Sequence, residues 1–249
     1  MKLIKPSVEI LNPEYYTTIC KGAKTGSMTL ENDPLDVVYK QIEVAGRTCY
    51  KSEDRITDDS AKKFVDMIIE RGHTAMLEHG TVYLYIEEPN GLKYSDNKYS
   101  VCNYNGNEHK YYITTNYRVL LENNWLDDLE YICLPTKHHE KRVSVRWICD
   151  RGVSHELVRH RVFSFAQEST RYCNYSKDKF NNEITFIQPT WLDNTDTDKD
   201  SRIFNYHLRE CENRYFNLLN ECNWQPQQAR AVLPNALKTE VVMTGFLDD

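Results

Sequence analysis

Apolar residues recur at helical spacing twice in the first third of the chain. Leu35 to Gly46 predict one helix, started at Asp33 with Pro34 at its first position, where the missing N–H costs nothing. Ala61, Phe64, Val65, Ile68 and Ile69 follow the i, i+3, i+4, i+7, i+8 rule, which predicts a second helix capped by Thr57 or Asp58 and ended by Gly72. Between them GRTCY (46–50) is expected to lead out into a polar loop, and residues 1–34 read as an extended start followed by turns. TVYLYIEE (81–88) alternates and predicts a half-buried strand, with a turn at Pro89-Asn90-Gly91. RVSVRWIC (142–149), Ile184 to Gln188 and KTEVVMT (238–244) predict further strands.

The longest helix is expected from Asp198 to Cys222, with Ile203, Phe204, Leu208, Cys211, Tyr215, Leu218 and Cys222 on or near one stripe. PQQARAVLP (226–234) predicts a short helix opened and closed by proline. Residues 88–140 hold Asn and Tyr clusters, a short strand at 111–114 and a helix-like run at 117–121. They carry too few apolar residues for a core of their own, so they read as an insertion in a single domain spanning 1–249. The fold class expected is α+β, with a mixed or antiparallel sheet flanked by helices.

Composition narrows the function without naming it. The 249 residues carry a net charge of −6, which argues against a general nucleic-acid binder. No stretch approaches the roughly 20 apolar residues that span a bilayer, and the N-terminus is too broken by Lys, Pro and Glu for a signal peptide, so a cytoplasmic protein is expected. The eight cysteines include no C-x-x-C pair and are read as reduced thiols. In HELVRH the histidines stand five apart, not the four a zinc-binding helix needs, and no metal is expected.

The chemistry concentrates between Arg159 and Ser176. Arg159, His160 and Arg161 are adjacent; Gln167, Glu168, Ser169, Thr170 and Arg171 follow. Guanidiniums suit bidentate binding of phosphate or carboxylate, and the polar run suits the rest of a small polar ligand. From Lys141 to Tyr172 seven basic residues face three acidic ones, a local balance of +4 in an acidic chain. Such a reversal is what an anionic small-molecule site needs. Asp150 to His160 is read as a helix, which would set Glu156, Arg159 and His160 on one face. Solvated arginines paired with surface carboxylates give the plainer alternative.

RHR (159–161), then seven residues and Ser169, resembles the signature of the flavin-dependent thymidylate synthases, the ThyX family. GHTAMLEH (72–79), GRTCY and PQQARAVLP resemble three further family segments, in the family's order. The resemblance implies a ThyX-like fold and conversion of dUMP to dTMP. Methylenetetrahydrofolate would give the carbon, NADPH would reduce FAD, and sites would form between subunits of a homotetramer. It implies that His73, Glu78, Arg159, His160, Arg161 and Gln167 face the cofactor. Glu156, Arg159, Gln167, Glu168, Ser169, Thr170, Arg171 and Arg230 would face dUMP. Cys49, Ala75, Ala166 and Gln167 depart from the family's usual residues, as does Glu156. The family implies a further helical segment after residue 249 carrying the arginine that polarises uracil, so no catalytic residue is assigned. A flavin- and nucleotide-binding fragment that needs a complementing segment is the alternative. A classical Cys nucleophile at Cys173, a hydrolase and a zinc enzyme remain as readings from other classes.

Overall fold

The computed structural model describes residues 1–11, 33–171, 173–177, 180–192 and 198–248. The predicted turns before residue 33 therefore lie largely outside the described residues. The architecture is α+β, but the strands divide into three sheets instead of one. β2 (Ser7–Leu11), β6 (Arg142–Asp150), β9 (Lys238–Phe246) and β7 (Ser164–Gln167) form an antiparallel sheet in the order β2-β6-β9-β7. β3 (Thr81–Glu87), β5 (Lys110–Asn116) and β4 (Val101–Asn105) form a second antiparallel sheet in the order β3-β5-β4. β1 (Lys2–Ile4) and β8 (Thr185–Ile187) make a parallel pair.

Helix α1 (Pro34–Tyr50) holds the two larger sheets together. Val38 and Ile42 enter the core beneath β3 and β5, with Phe64, Val65 and Ile68 of α2 (Ser60–Glu70). Val44 and Ala45, on another side of α1, pack against Leu11, Ala166 and Val242 of the four-stranded sheet. The segment read as an insertion supplies Tyr94, Tyr111, Ile113, Tyr117 and Leu120 to the first of these cores. It also supplies β4, β5 and the short helix α3 (Tyr117–Glu122), whose Asn116 cap accepts from the Val119 amide at 3.1 Å.

α1 does not stop at Gly46. It runs through GRTCY to Tyr50 and ends on Lys51 in the left-handed region, φ 51°. Gly46 is there for contact: a Cβ would come within 2.6 Å of the Phe64 ring. Gly46→Ala is therefore expected to cost about 1–3 kcal/mol by overpacking. An unchanged urea midpoint would show that Phe64 shifts freely.

The second helix starts at Ser60 and not at the proposed Thr57 or Asp58 caps; Gly72, φ 68°, follows its end as expected. The longest helix, α5 (Lys199–Asn220), is close to its predicted bounds. It buries Leu208 and Tyr215 against Phe186 and Tyr175, and Cys211 is buried as well, while Ile203 and Cys222 are exposed. After the N-cap Asp150, α4 (Arg151–Leu157) ends three residues earlier than the His160 end predicted from sequence. Among the described residues, no helix is long and apolar enough to cross a membrane, and no group of three or more His, Cys, Asp or Glu could hold a metal.

Candidate active site

The end of β7 carries the polar run to the end of α1. The Ser169 amide donates to the Cys49 carbonyl at 3.1 Å, and the Glu168 amide donates to the Glu240 carbonyl on β9 at 2.8 Å. These two bonds pin residues 168–169 between helix and sheet. Above them opens a hollow of about 540 Å³, walled by Gln167 to Arg171, by the turn at 72–76 and by the end of α1.

Arg118 of α3, Arg151 of α4, Arg171 and Arg230 all line this hollow. Arg230 follows the short helix α6 (Pro226–Ala229), and its Nη1 donates to Thr170 Oγ1 at 2.8 Å. His73 stands opposite, its Nδ1 2.5 Å from the Tyr50 hydroxyl. Gln167 is turned into the fold: its Nε2 donates to Ser154 Oγ at 2.8 Å and to Thr239 Oγ1 at 3.3 Å.

Glu168, the one carboxylate of the hollow, is only 3% exposed. Its Oε2 accepts from Lys238 Nζ at 3.0 Å. Lys238 also contacts Glu240, which pairs with Lys51 at 2.7 Å. Burial pushes the Glu240 carboxyl up, but Lys238 and Lys51 pull it down to about 2. Burial would lower the Lys51 ammonium, yet Glu168, Glu240 and Glu53 hold it above the usual lysine range. The Glu168 and Glu240 carboxylates are thus matched by two ammonium groups, and the guanidiniums of Arg151, Arg171 and Arg230 set the sign of the hollow.

A second hollow of about 710 Å³ adjoins through Arg118, which lines both. Glu78, Arg142, Arg161, Phe163 and Phe246 line it as well. Arg118 Nη1 donates to Glu78 Oε1 at 2.5 Å, and its Nε donates to Glu122 Oε1 at 2.7 Å.

Of the residues singled out in the sequence, His73, Gln167, Glu168, Ser169, Thr170, Arg171 and Arg230 come together in the first hollow, and Glu78 and Arg161 in the second. Glu156, Arg159 and His160 line neither. The expected shared face is lost because α4 ends at Leu157, leaving Arg159 and His160 in a turn. Arg159 Nη1 pairs with Glu156 Oε2 at 2.7 Å, and these side chains are 73% and 74% exposed. Arg118 and Arg142 were missed because they lie in or beside the segment set aside as an insertion. The signal was Asn116 as a helix cap, which places Arg118 in the first turn.

Among the described residues no activated thiol emerges. Cys173 is buried, with its Sγ donating to Glu168 Oε1 at 3.8 Å. Burial, and then Glu168, push the Cys49 thiol up. Among the described residues the seven cysteines are free thiols.

This is an α+β protein with a cationic hollow suited to a small anion. Residues 135–247 match the family model described as thymidylate synthase complementing protein. A flavin-dependent thymidylate synthase of Geobacter sulfurreducens is 32% identical over 94 residues, 38% of each chain. That of Corynebacterium glutamicum is 26% identical over 218 residues, covering 82% of this chain and 61% of the relative. The chain is thus similar to flavin-dependent thymidylate synthases, and the match to the family model lies in its second half. The chain spans less than two thirds of the length of these relatives. A solved UMP/dUMP methylase, PolB from Streptomyces cacaoi, aligns over 99% of this chain and 74% of its own at 12% identity and a TM-score of 0.37, too loose a likeness to carry an argument.

Proposed function

We propose that the chain takes part in the reductive methylation of dUMP to dTMP, with dUMP in the first hollow. The observation that carries this is the convergence of Arg118, Arg151, Arg171 and Arg230 on one hollow whose single carboxylate is neutralised by Lys238. A nucleoside monophosphate brings a dianion for guanidiniums and a polar base and sugar for Ser169 and Thr170. Arg230, steadied by Thr170, and Arg171 are the phosphate or base partners.

The residues of the second hollow fit FAD. Arg118 and Arg161 offer guanidiniums to a pyrophosphate, and Phe163 and Phe246 offer apolar rings to a flat cofactor. When bound and reduced by NADPH, the flavin would supply the hydride, and methylenetetrahydrofolate would supply the carbon to dUMP. This chain's own residues bind and orient. Arg118 spans both hollows, and Glu78 fixes its guanidinium. His73 holds the rim through Tyr50. Arg159 and His160, exposed and outside both hollows, fit a site completed by a second copy, as in a homotetramer. A cytoplasmic setting follows from the same reading.

The test is ligand titration of the purified chain. Flavin fluorescence should be quenched on binding, and dUMP should bind. Arg230→Ala should weaken dUMP by roughly 10- to 100-fold, the worth of one charged hydrogen bond. Protein that binds neither ligand, or a variant with unchanged dUMP affinity, would remove these residues from the site.

A further inference from the structure

A third hollow, of about 710 Å³, lies between the end of α1, the 51–57 loop and α2. Its charges are lopsided: Arg47, Lys51, Arg55, Lys63 and Arg71 face only Asp54 and Asp59. Three of the cations already have carboxylate partners. Arg47 Nε pairs with the buried Glu43 at 2.7 Å, Lys51 pairs with Glu240 at 2.7 Å, and Lys63 pairs with Asp59 at 3.3 Å. Arg55 and Arg71 make no ion pair among the described residues, and both are exposed. They come from different elements, the 53–55 turn and the end of α2, yet line one concavity. Ser52, Thr57 and Ser60 add polar lining, and Tyr50, Met67 and the edge of Phe64, whose ring lies under Arg47 at 4.8 Å, give it a small apolar patch.

Position gives this hollow its meaning. Tyr50 lines both it and the nucleotide hollow, and Arg71 is two residues before His73 on the rim of the latter. A ligand whose reacting end sits beside His73 could pass Tyr50 and lay its far end here. The lining asks for a ring or short apolar stem against Phe64 and Met67, then separated negative charges for two guanidiniums.

We propose that this hollow is a subsite for the anionic tail of the co-substrate. Resting on the function proposed above, it receives the aminobenzoyl-glutamate arm of the folate, with Arg55 and Arg71 taking tail carboxylates. The phosphate of a pyridine nucleotide is the other source of the same charge, and the experiment separates the two.

Protein loaded with flavin and dUMP is titrated by calorimetry with tetrahydrofolate, with tetrahydrofolate triglutamate and with NADP⁺. The triglutamate is expected to bind roughly 10-fold more tightly than the monoglutamate, about 1.4 kcal/mol. Arg55→Glu/Arg71→Glu should abolish that preference while dUMP and NADP⁺ affinities stay the same. Both side chains are exposed and without ion pairs among the described residues, so the variant should fold; Arg55→Gln/Arg71→Gln should give an intermediate preference. Equal affinities in the natural protein, or a preference that survives both double variants, overturns the proposal. So does loss of NADP⁺ binding with the folate preference intact. Protein that binds neither flavin nor dUMP would fail the parent reading and this one with it, whereas binding of both without a tail preference defeats this proposal alone.

Discussion

Lys238→Met is expected to lower the stability of the chain by about 3–5 kcal/mol, the usual effect of removing one partner from a buried ion pair. Lys238 Nζ is 3.0 Å from Glu168 and also contacts Glu240, and its side chain is only 14% exposed. Methionine keeps most of the volume, so the loss would be electrostatic. Glu168 would be left 3% exposed without its ion-pair partner, with the Cys173 thiol as its donor and Lys51 as a more distant cation. It would also return a negative charge to the hollow that Arg151, Arg171 and Arg230 make positive, so dUMP affinity should fall with stability. A second substitution, Glu168→Gln, should restore much of both by removing the stranded charge. Urea unfolding measures the first effect and ligand titration the second. A midpoint shift worth under about 1 kcal/mol, with no rescue in the double variant, would mean that Lys51 alone neutralises the cluster.

Local patterning in the sequence was enough to locate the elements that a single periodicity describes. β3, β6, β9, α2 and α5 were read within a few residues because their core faces repeat with period 2 or 3.6. Gly46 misled because a glycine reads locally as a helix stop, while here it admits the Phe64 ring. The division into separate sheets was hidden because α1 buries two faces, one under each large sheet. No single-stripe pattern announces that. The 88–140 segment looked too polar for a core because its tyrosines do the packing: Tyr94 is fully buried, and its hydroxyl reaches Asp128 at 2.5 Å.

Much of the candidate site was legible as residue types. Ser169 to Arg171, Arg230 and His73 meet in one hollow although they are far apart in sequence. Residue type could not separate ligand-facing groups from structural ones. Glu168 looks like a ligand-reading carboxylate but is the partner of Lys238. Gln167 spends its amide on Ser154 and Thr239. Arg159 and His160 stand apart for a different reason: the predicted helix stops at Leu157, which leaves the RHR run's first two members outside both hollows. The basic hollow at Arg55 and Arg71 left no motif at all, because its cations are drawn from a turn and a helix end.

Acidification below neutrality should destabilise the chain through His79, well before most carboxylates titrate. Its ring is 1% exposed, between the four-stranded sheet and the turn at 74–79, with Nδ1 2.8 Å from Thr244 Oγ1. Nε2 makes no hydrogen bond of normal geometry, although the Phe165 backbone lies close enough to favour the charged ring slightly. Burial first, and then the Arg142 guanidinium, push His79 down to about 3 from the ordinary 6.5. The unfolded chain therefore takes a proton that the folded chain refuses. Stability from this group is complete above pH 6.5 and is lost as pH falls toward 3, at about 1.4 kcal/mol per pH unit. Burial also lowers His139, which adds to the loss in the same direction. Glu240 acts in a lower window: its contribution is present above its ordinary value of 4.5 and disappears as pH falls through 2. Unfolding free energy measured between pH 7 and 5 should thus fall with a slope set by the histidines alone. His79→Asn, which keeps a polar group near Thr244, should cost some stability at pH 7 but flatten that slope by about one proton. An unchanged slope in the variant would show that His79 is charged in the fold, and the buried pair with Thr244 would have to open to admit it.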